Sequence, residues 1–221
     1  MLEIVLQPRI IGSKDWATVL FVLSFLLIAV TRGVFETRFA DFSKLAYNDK
    51  YIKIYRDSAN LMNWFTIGLF IVQVISFAFF IQLILSYFGY FEKTDWIKYI
   101  QIVTLLSIFI LSKYLIEKII ATSFNIEEFN EQFNLQKVSY RTYIGLCILP
   151  LNVILFYNDT PIDFLIYLII VAVLLINLMT YFISLKIYQN LILSKLFYFI
   201  LYLCALEIAP YYFMYYWFTK R

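Results

Sequence analysis

SANLMNWFTIGLFIVQVISFAFFIQLILSYFGYF, residues 58–91, runs without one formal charge. Crossing ~30 Å of hydrocarbon takes about 20 apolar residues, and lipid admits only helices or closed barrels, whose backbone groups are paired internally. Barrel strands alternate polar and apolar residues, and this block does not, so it reads as a transmembrane helix. As a single helix it would reach ~51 Å at 1.5 Å per residue, longer than the membrane is thick. It must therefore tilt or protrude.

Blocks of the same kind lie on both sides of it. The pattern predicts an all-α, polytopic transmembrane bundle of about six spans, near 16–35, 61–90, 96–120, 140–157, 161–185 and 195–218, in one domain covering 1–221. The first block has no strongly basic start and no small-residue cleavage site, so it is expected to stay as an anchor. Thr160, Pro161 and Asp163 form the start signal of the fifth span: a cap, a proline at the first helical position and an acid at the positive end of the dipole. Composition agrees, with 63% hydrophobic, 21% aromatic and 15% charged residues in 221. Soluble proteins carry about 25% charged residues, so a soluble globular domain is excluded.

Two connections are patterned like helices. Phe35, Phe39, Phe42 and Ala46 recur at helical spacing, followed by Tyr47, Tyr51 and Tyr55 at i, i+4 and i+8. In 125–138, Asn125 and Glu128 stand as a capping pair, Ile126, Phe129 and Phe133 share one face, and Glu127, Glu128 and Glu131 share the other. These read as amphipathic helices in the first and third connections, lying in the membrane interface or packed on the bundle. Connections one, three and five hold 12 of the 18 Lys and Arg. By the positive-inside rule they face the cytoplasm, and both termini then lie on the same, periplasmic side of a bacterial inner membrane.

Glu207 is the residue that asks for an explanation. Eleven uncharged residues precede it and twelve follow. A carboxylate at that depth must face the bundle interior and pair with a cation or stay protonated. Pro210 removes a helical hydrogen bond and frees the carbonyl of Leu206 beside the acid, with Cys204 on the same face. Lys113, Arg141, Asn177 and Gln73 are candidate partners, so Glu207, Pro210, Lys113, Arg141 and Asn177 form the candidate intramembrane polar site. Lys113 is one helical turn from Glu117, and the two are expected to neutralise one another. Gln73, Gln82 and Asn177 read as bonds between helices. Cys147 and Cys204 sit in apolar blocks and are expected to act as small buried hydrophobes.

Other chemistry is absent from the sequence. The chain has no histidine, which removes the commonest catalytic base and metal ligand. Its five glycines form no phosphate-binding loop, no nucleotide motif and no G-x-x-x-G stripe. No paired acids are spaced to hold a divalent ion, so neither a metal nor a cofactor is expected. The net charge of +3 is dispersed over short loops, and nucleic acid is not an expected partner. The aromatic run YYFMYYWF at 211–218 reads as an interfacial belt.

Asp15-Trp16, Tyr140-Arg141 leading to Leu149-Pro150, and above all LCALEIAP at 203–210 resemble the Bacteroidota membrane proteins classed as domain of unknown function 4271. The resemblance extends over nearly the whole chain. It implies a multi-pass inner-membrane protein, carries no established activity, and adds interest to Glu207 and Pro210. With no acid, base and nucleophile at a recognisable spacing, a non-enzymatic role is the expectation. The expected partners are the lipid bilayer and other inner-membrane proteins, the chain being a subunit or scaffold of a phylum-specific envelope complex. Type 9 secretion with gliding motility, or envelope glycolipid synthesis, would be the setting. The alternative is a small transporter or proton-coupled channel using the carboxylate of Glu207.

Overall fold

The computed structural model describes residues 14–45, 47, 50–55, 63–123, 127–158, 166–176 and 178. Every element among them is helical: α1 (Asp15–Val34), α2 (Glu36–Ser43), α3 (Lys50–Tyr55), α4 (Trp64–Tyr87), α5 (Trp96–Ser123) and α6 (Glu127–Tyr157), followed by a short apolar helix, Ile166–Ile176. Four helices are long and apolar enough to cross a membrane: α1, α4, α5 and, over Phe133–Tyr157, α6. The expected fifth span is described only in part, and the sixth, 195–218, lies outside the described residues, as do Thr160, Pro161 and Asp163.

α4 is the central helix. Its buried residues run Phe65, Leu69, Val72, Gln73, Val74, Ile75, Ser76, Ala78, Phe79, Phe80 and Gln82 with no single stripe, as expected of a helix covered on several sides. α1 instead buries Ala17, Phe21, Ser24 and Thr31, one face at helical spacing. The hydroxyls of Ser24 and Thr31 donate to the carbonyls of Leu20 and Leu27, at 2.8 and 2.7 Å, so this face reaches α4 with its polar groups already bonded.

The uncharged block that marks α4 is longer than the helix. Asn63 caps its start, accepting from the Phe65 amide. Its end is set by Gly89 at φ 77°. The Tyr90 amide donates to Leu85 O and the Gly89 amide to Ser86 O, at 3.1 and 3.0 Å, the paired bonds of a Schellman stop. The expected span of 61–90 therefore contracts to 64–87, or ~36 Å. That length matches a bilayer without unusual tilt, because the last uncharged residues form a turn.

That turn is tied to the bundle. The Trp16 indole N–H donates to Thr94 O at 3.3 Å, the Gln82 amide to Asp95 O at 2.9 Å, and Lys93 Nζ to Asn158 O at 2.9 Å. Asp95 starts α5 by accepting from the Ile97 and Lys98 amides. Beneath the turn, rings from all four long helices meet. Phe21 stacks on Phe79 with centroids 4.2 Å apart, Phe79 lies 4.5 Å from Tyr99, and Phe156 meets Phe79 edge-on at 5.8 Å. Trp16, of α1, stacks on Phe79 at 5.7 Å.

At the opposite end, α2 and α3 pack inward. Phe42, Leu45, Tyr51 and Ile52 are buried together with Phe65 and Leu69 of α4, so protein rather than lipid covers their apolar face. The expected tyrosine stripe is broken: consecutive turns follow Ser43, with the amides of Leu45 and Tyr47 donating to Phe42 O and Lys44 O. Tyr47 is 96% exposed, whereas Tyr51 is 2% exposed.

The expected helix in the third connection is not separate from the fourth span. α6 is one helix of 31 residues, and its early positions Phe133, Asn134, Leu135, Gln136 and Ser139 are buried. No glycine or proline interrupts 127–144, so nothing stops the amphipathic stretch from continuing into the apolar one. Cys147 is exposed on this helix rather than buried.

Candidate functional site

Between α4 and α6 the buried polar side chains line up. Thr142, Gly145, Leu149 and Asn152 share one face of α6 at spacings of three and four, facing Gln73 and Ser76 one turn apart on α4. The Thr142 hydroxyl donates to Gln73 Oε1 at 2.8 Å, and the Ser76 hydroxyl donates to Gly145 O at 2.7 Å. Asn152 Nδ2 donates to Ser76 O at 2.7 Å and to its Oγ at 3.3 Å. Gly145 makes this seam close, since a Cβ there would stand 3.1 Å from Gln73 Cγ. Small and hydrogen-bonding residues are what bring helices together where lipid supplies no hydrophobic drive, at roughly 0.6 kcal/mol per polar contact. Gln73 Nε2 and Asn152 Oδ1 are left without partners in the seam.

A second polar contact joins α5 to α6. Lys137 Nζ stands 3.3 Å from Glu117 Oε1, the two side chains 16% and 4% exposed. Lys137 also lies 5.5 Å from the Phe133 ring centroid, which adds a weaker attraction for the ammonium.

A third group fastens α2 and α3. The Arg38 guanidinium lies 4.7 Å from the Tyr55 ring, 4.8 Å from Phe65 and 6.0 Å from Tyr51. Arg38 and Ser139 of α6 both act on the Tyr51 phenol. Burial holds the Tyr51 phenol above its usual value of 10, and the Arg38 charge opposes that rise.

A family model described as a domain of unknown function (DUF4271) matches residues 17–218, from the first turn of α1 to near the end of the chain. The chain belongs to that family. No curated protein and no solved structure matches it.

In this DUF4271 chain, Lys113 and Arg141 are both half-buried, one turn before Glu117 on α5 and one turn after Lys137 on α6. Glu117 takes an interhelical partner, Lys137, beyond the local one expected. Gln73 bonds across helices as its depth suggested, while Gln82 bonds the turn that follows its own helix. Glu207, Pro210 and Asn177 lie outside the described residues. Sequence reasoning passed over Ser76, Thr142, Gly145, Asn152 and Lys137. The signal was present as small and polar residues at spacings of three and four in the fourth block, but apolar positions at the same spacing obscure it.

Proposed function

We propose that this chain is a non-catalytic, multi-pass subunit or scaffold of a Bacteroidota inner-membrane complex, with both termini in the periplasm. The observation that carries the reading is the use of buried polarity. Between α4 and α6, Gln73, Ser76, Thr142 and Asn152 bond helix to helix, and Glu117 with Lys137 does so between α5 and α6. Such contacts hold a bundle in one arrangement. The function of the matching family is unknown, so the complex is named by analogy alone: type 9 secretion with gliding, or envelope glycolipid synthesis.

The test is a mild-detergent pull-down at native expression with quantitative mass spectrometry, run beside Glu207→Gln. Stoichiometric membrane partners are expected, and their loss in the variant would make Glu207 an assembly contact. A solitary protein whose folded Glu207→Gln variant loses its phenotype overturns the reading. The small transporter or proton-coupled channel would then take its place.

A further inference from the structure

The last turns of α5 and the first turns of α6 enclose a cavity of about 200 Å³. Lys118 and Thr122 line it from α5, and Glu127, Glu131 and Asn134 line it from α6. At ~30 Å³ per water it has the volume of about six waters, the scale of a small polar group. α5 has 28 residues, ~42 Å against ~30 Å of hydrocarbon, so its end stands among lipid headgroups. Among the described residues, two carboxylates and one ammonium thus surround a small space at headgroup level.

One wall holds an unmet hydrogen bond. Asn134 is 3% exposed, and its Nδ2 has no partner. A buried donor left unbonded destabilises the fold, and an acceptor oxygen in the cavity would remove that cost. The nearby Lys137 is engaged by Glu117, so among the described residues Lys118 is the cation lining the space.

We propose that this cavity binds an aminophosphate, a phosphoethanolamine group carried as the headgroup of a membrane phospholipid. Lys118 and the Asn134 amide donate to the phosphate oxygens. Glu127 and Glu131 accept from the primary ammonium. A phosphoglycerol headgroup offers these carboxylates no cation, and a phosphocholine ammonium has no N–H to donate. A bare cation leaves Asn134 unbonded and meets repulsion from Lys118.

The full-length protein, purified in mild detergent, is titrated with phosphatidylethanolamine, phosphatidylcholine and phosphatidylglycerol and read by native mass spectrometry. Phosphatidylethanolamine is expected to bind about tenfold more tightly than the other two, the scale of one charge-assisted hydrogen bond. Lys118 and Glu131 are exposed, so their variants should fold, and circular dichroism verifies it. Glu131→Gln should remove most of the preference over phosphatidylcholine, whereas Lys118→Ala should weaken both lipids alike. Competition by soluble phosphoethanolamine at similar affinity would assign the same chemistry to a soluble ligand, and failure to compete assigns it to the lipid. Equal binding of all three lipids, or an ethanolamine preference surviving both substitutions, overturns the proposal.

Discussion

Gly145 and Gln73 mark a close approach of α4 and α6: a Cβ built on Gly145 would lie 3.2 Å from the Gln73 Cα as well as 3.1 Å from its Cγ. Backbone cannot swing aside as a side-chain tip can. Gly145→Ala should therefore destabilise the protein by ~1–3 kcal/mol despite alanine's better helix propensity. Gly33 is the control, since a Cβ there meets nothing within 4 Å, and Gly33→Ala should be neutral or stabilising by up to ~1 kcal/mol. Thermal unfolding of both variants in one detergent checks the pair. Equal effects would mean the helices do not meet as described.

The Glu117 and Lys137 pair makes a prediction with two parts. Glu117→Ala removes the carboxylate that meets a largely buried ammonium and should cost ~1–3 kcal/mol. Replacing both, as Glu117→Leu with Lys137→Met, should recover much of that loss, because neither charge of the pair then remains to be buried. A double variant no better than the single one would show that the charges hold the site by other contacts.

Tyr51 gives stability a dependence on pH. Its phenol is held above 10 in the folded protein, chiefly by burial, so the folded state keeps a proton that the unfolded chain releases first. Its contribution is complete below pH 10 and falls as pH rises through the raised value. Unfolding temperatures between pH 8 and 11 should drop at the alkaline end, and more steeply in the native protein than in Tyr51→Phe. At pH 8 the variant should be weaker by ~1 kcal/mol, through the loss of the buried hydroxyl beside Arg38 and Ser139. Parallel curves would rule the group out.

Gly89 supports a simpler test. At φ 77° it occupies a backbone region that L side chains avoid, although a Cβ there has open space. Gly89→Ala should cost ~1–2 kcal/mol through strain alone, while Gly89→Asn should cost less. Circular dichroism melts of the two variants separate strain from crowding.

Four of the six expected spans were legible, as long apolar helices, because charge is absent over lengths that lipid dictates. Their ends were less so. Within 58–91 no charge distinguishes helix from turn, and only Gly89, with its left-handed backbone, stops α4. Conversely, Glu127, Glu131, Lys137 and Arg141 make the beginning of α6 look like a connection, whereas helical geometry depends on the lack of a breaker, not on polarity. Tyr47, Tyr51 and Tyr55 show the same limit: even spacing suggests one face, but Tyr47 stands in the turns that follow Ser43 and is exposed, whereas Tyr51 is on α3 and buried. Partner choice was hidden for a different reason. Glu117 has Lys113 one turn away in sequence, and only tertiary packing brings Lys137 to it.

α6 has no proline before Pro150, which makes residues 127–149 a strut ~34 Å long. The two ends of that strut cannot tilt independently. A lean of ~5° at the acidic end carries the other by ~3 Å on this length, and beyond Pro150 the helix runs on to Tyr157, bonded to Thr18, and to Asn158, held by Lys93. Whatever presses on the acidic end is thus delivered mechanically to the seam at Gly145, with Pro150 as the joint between that seam and the aromatic cluster.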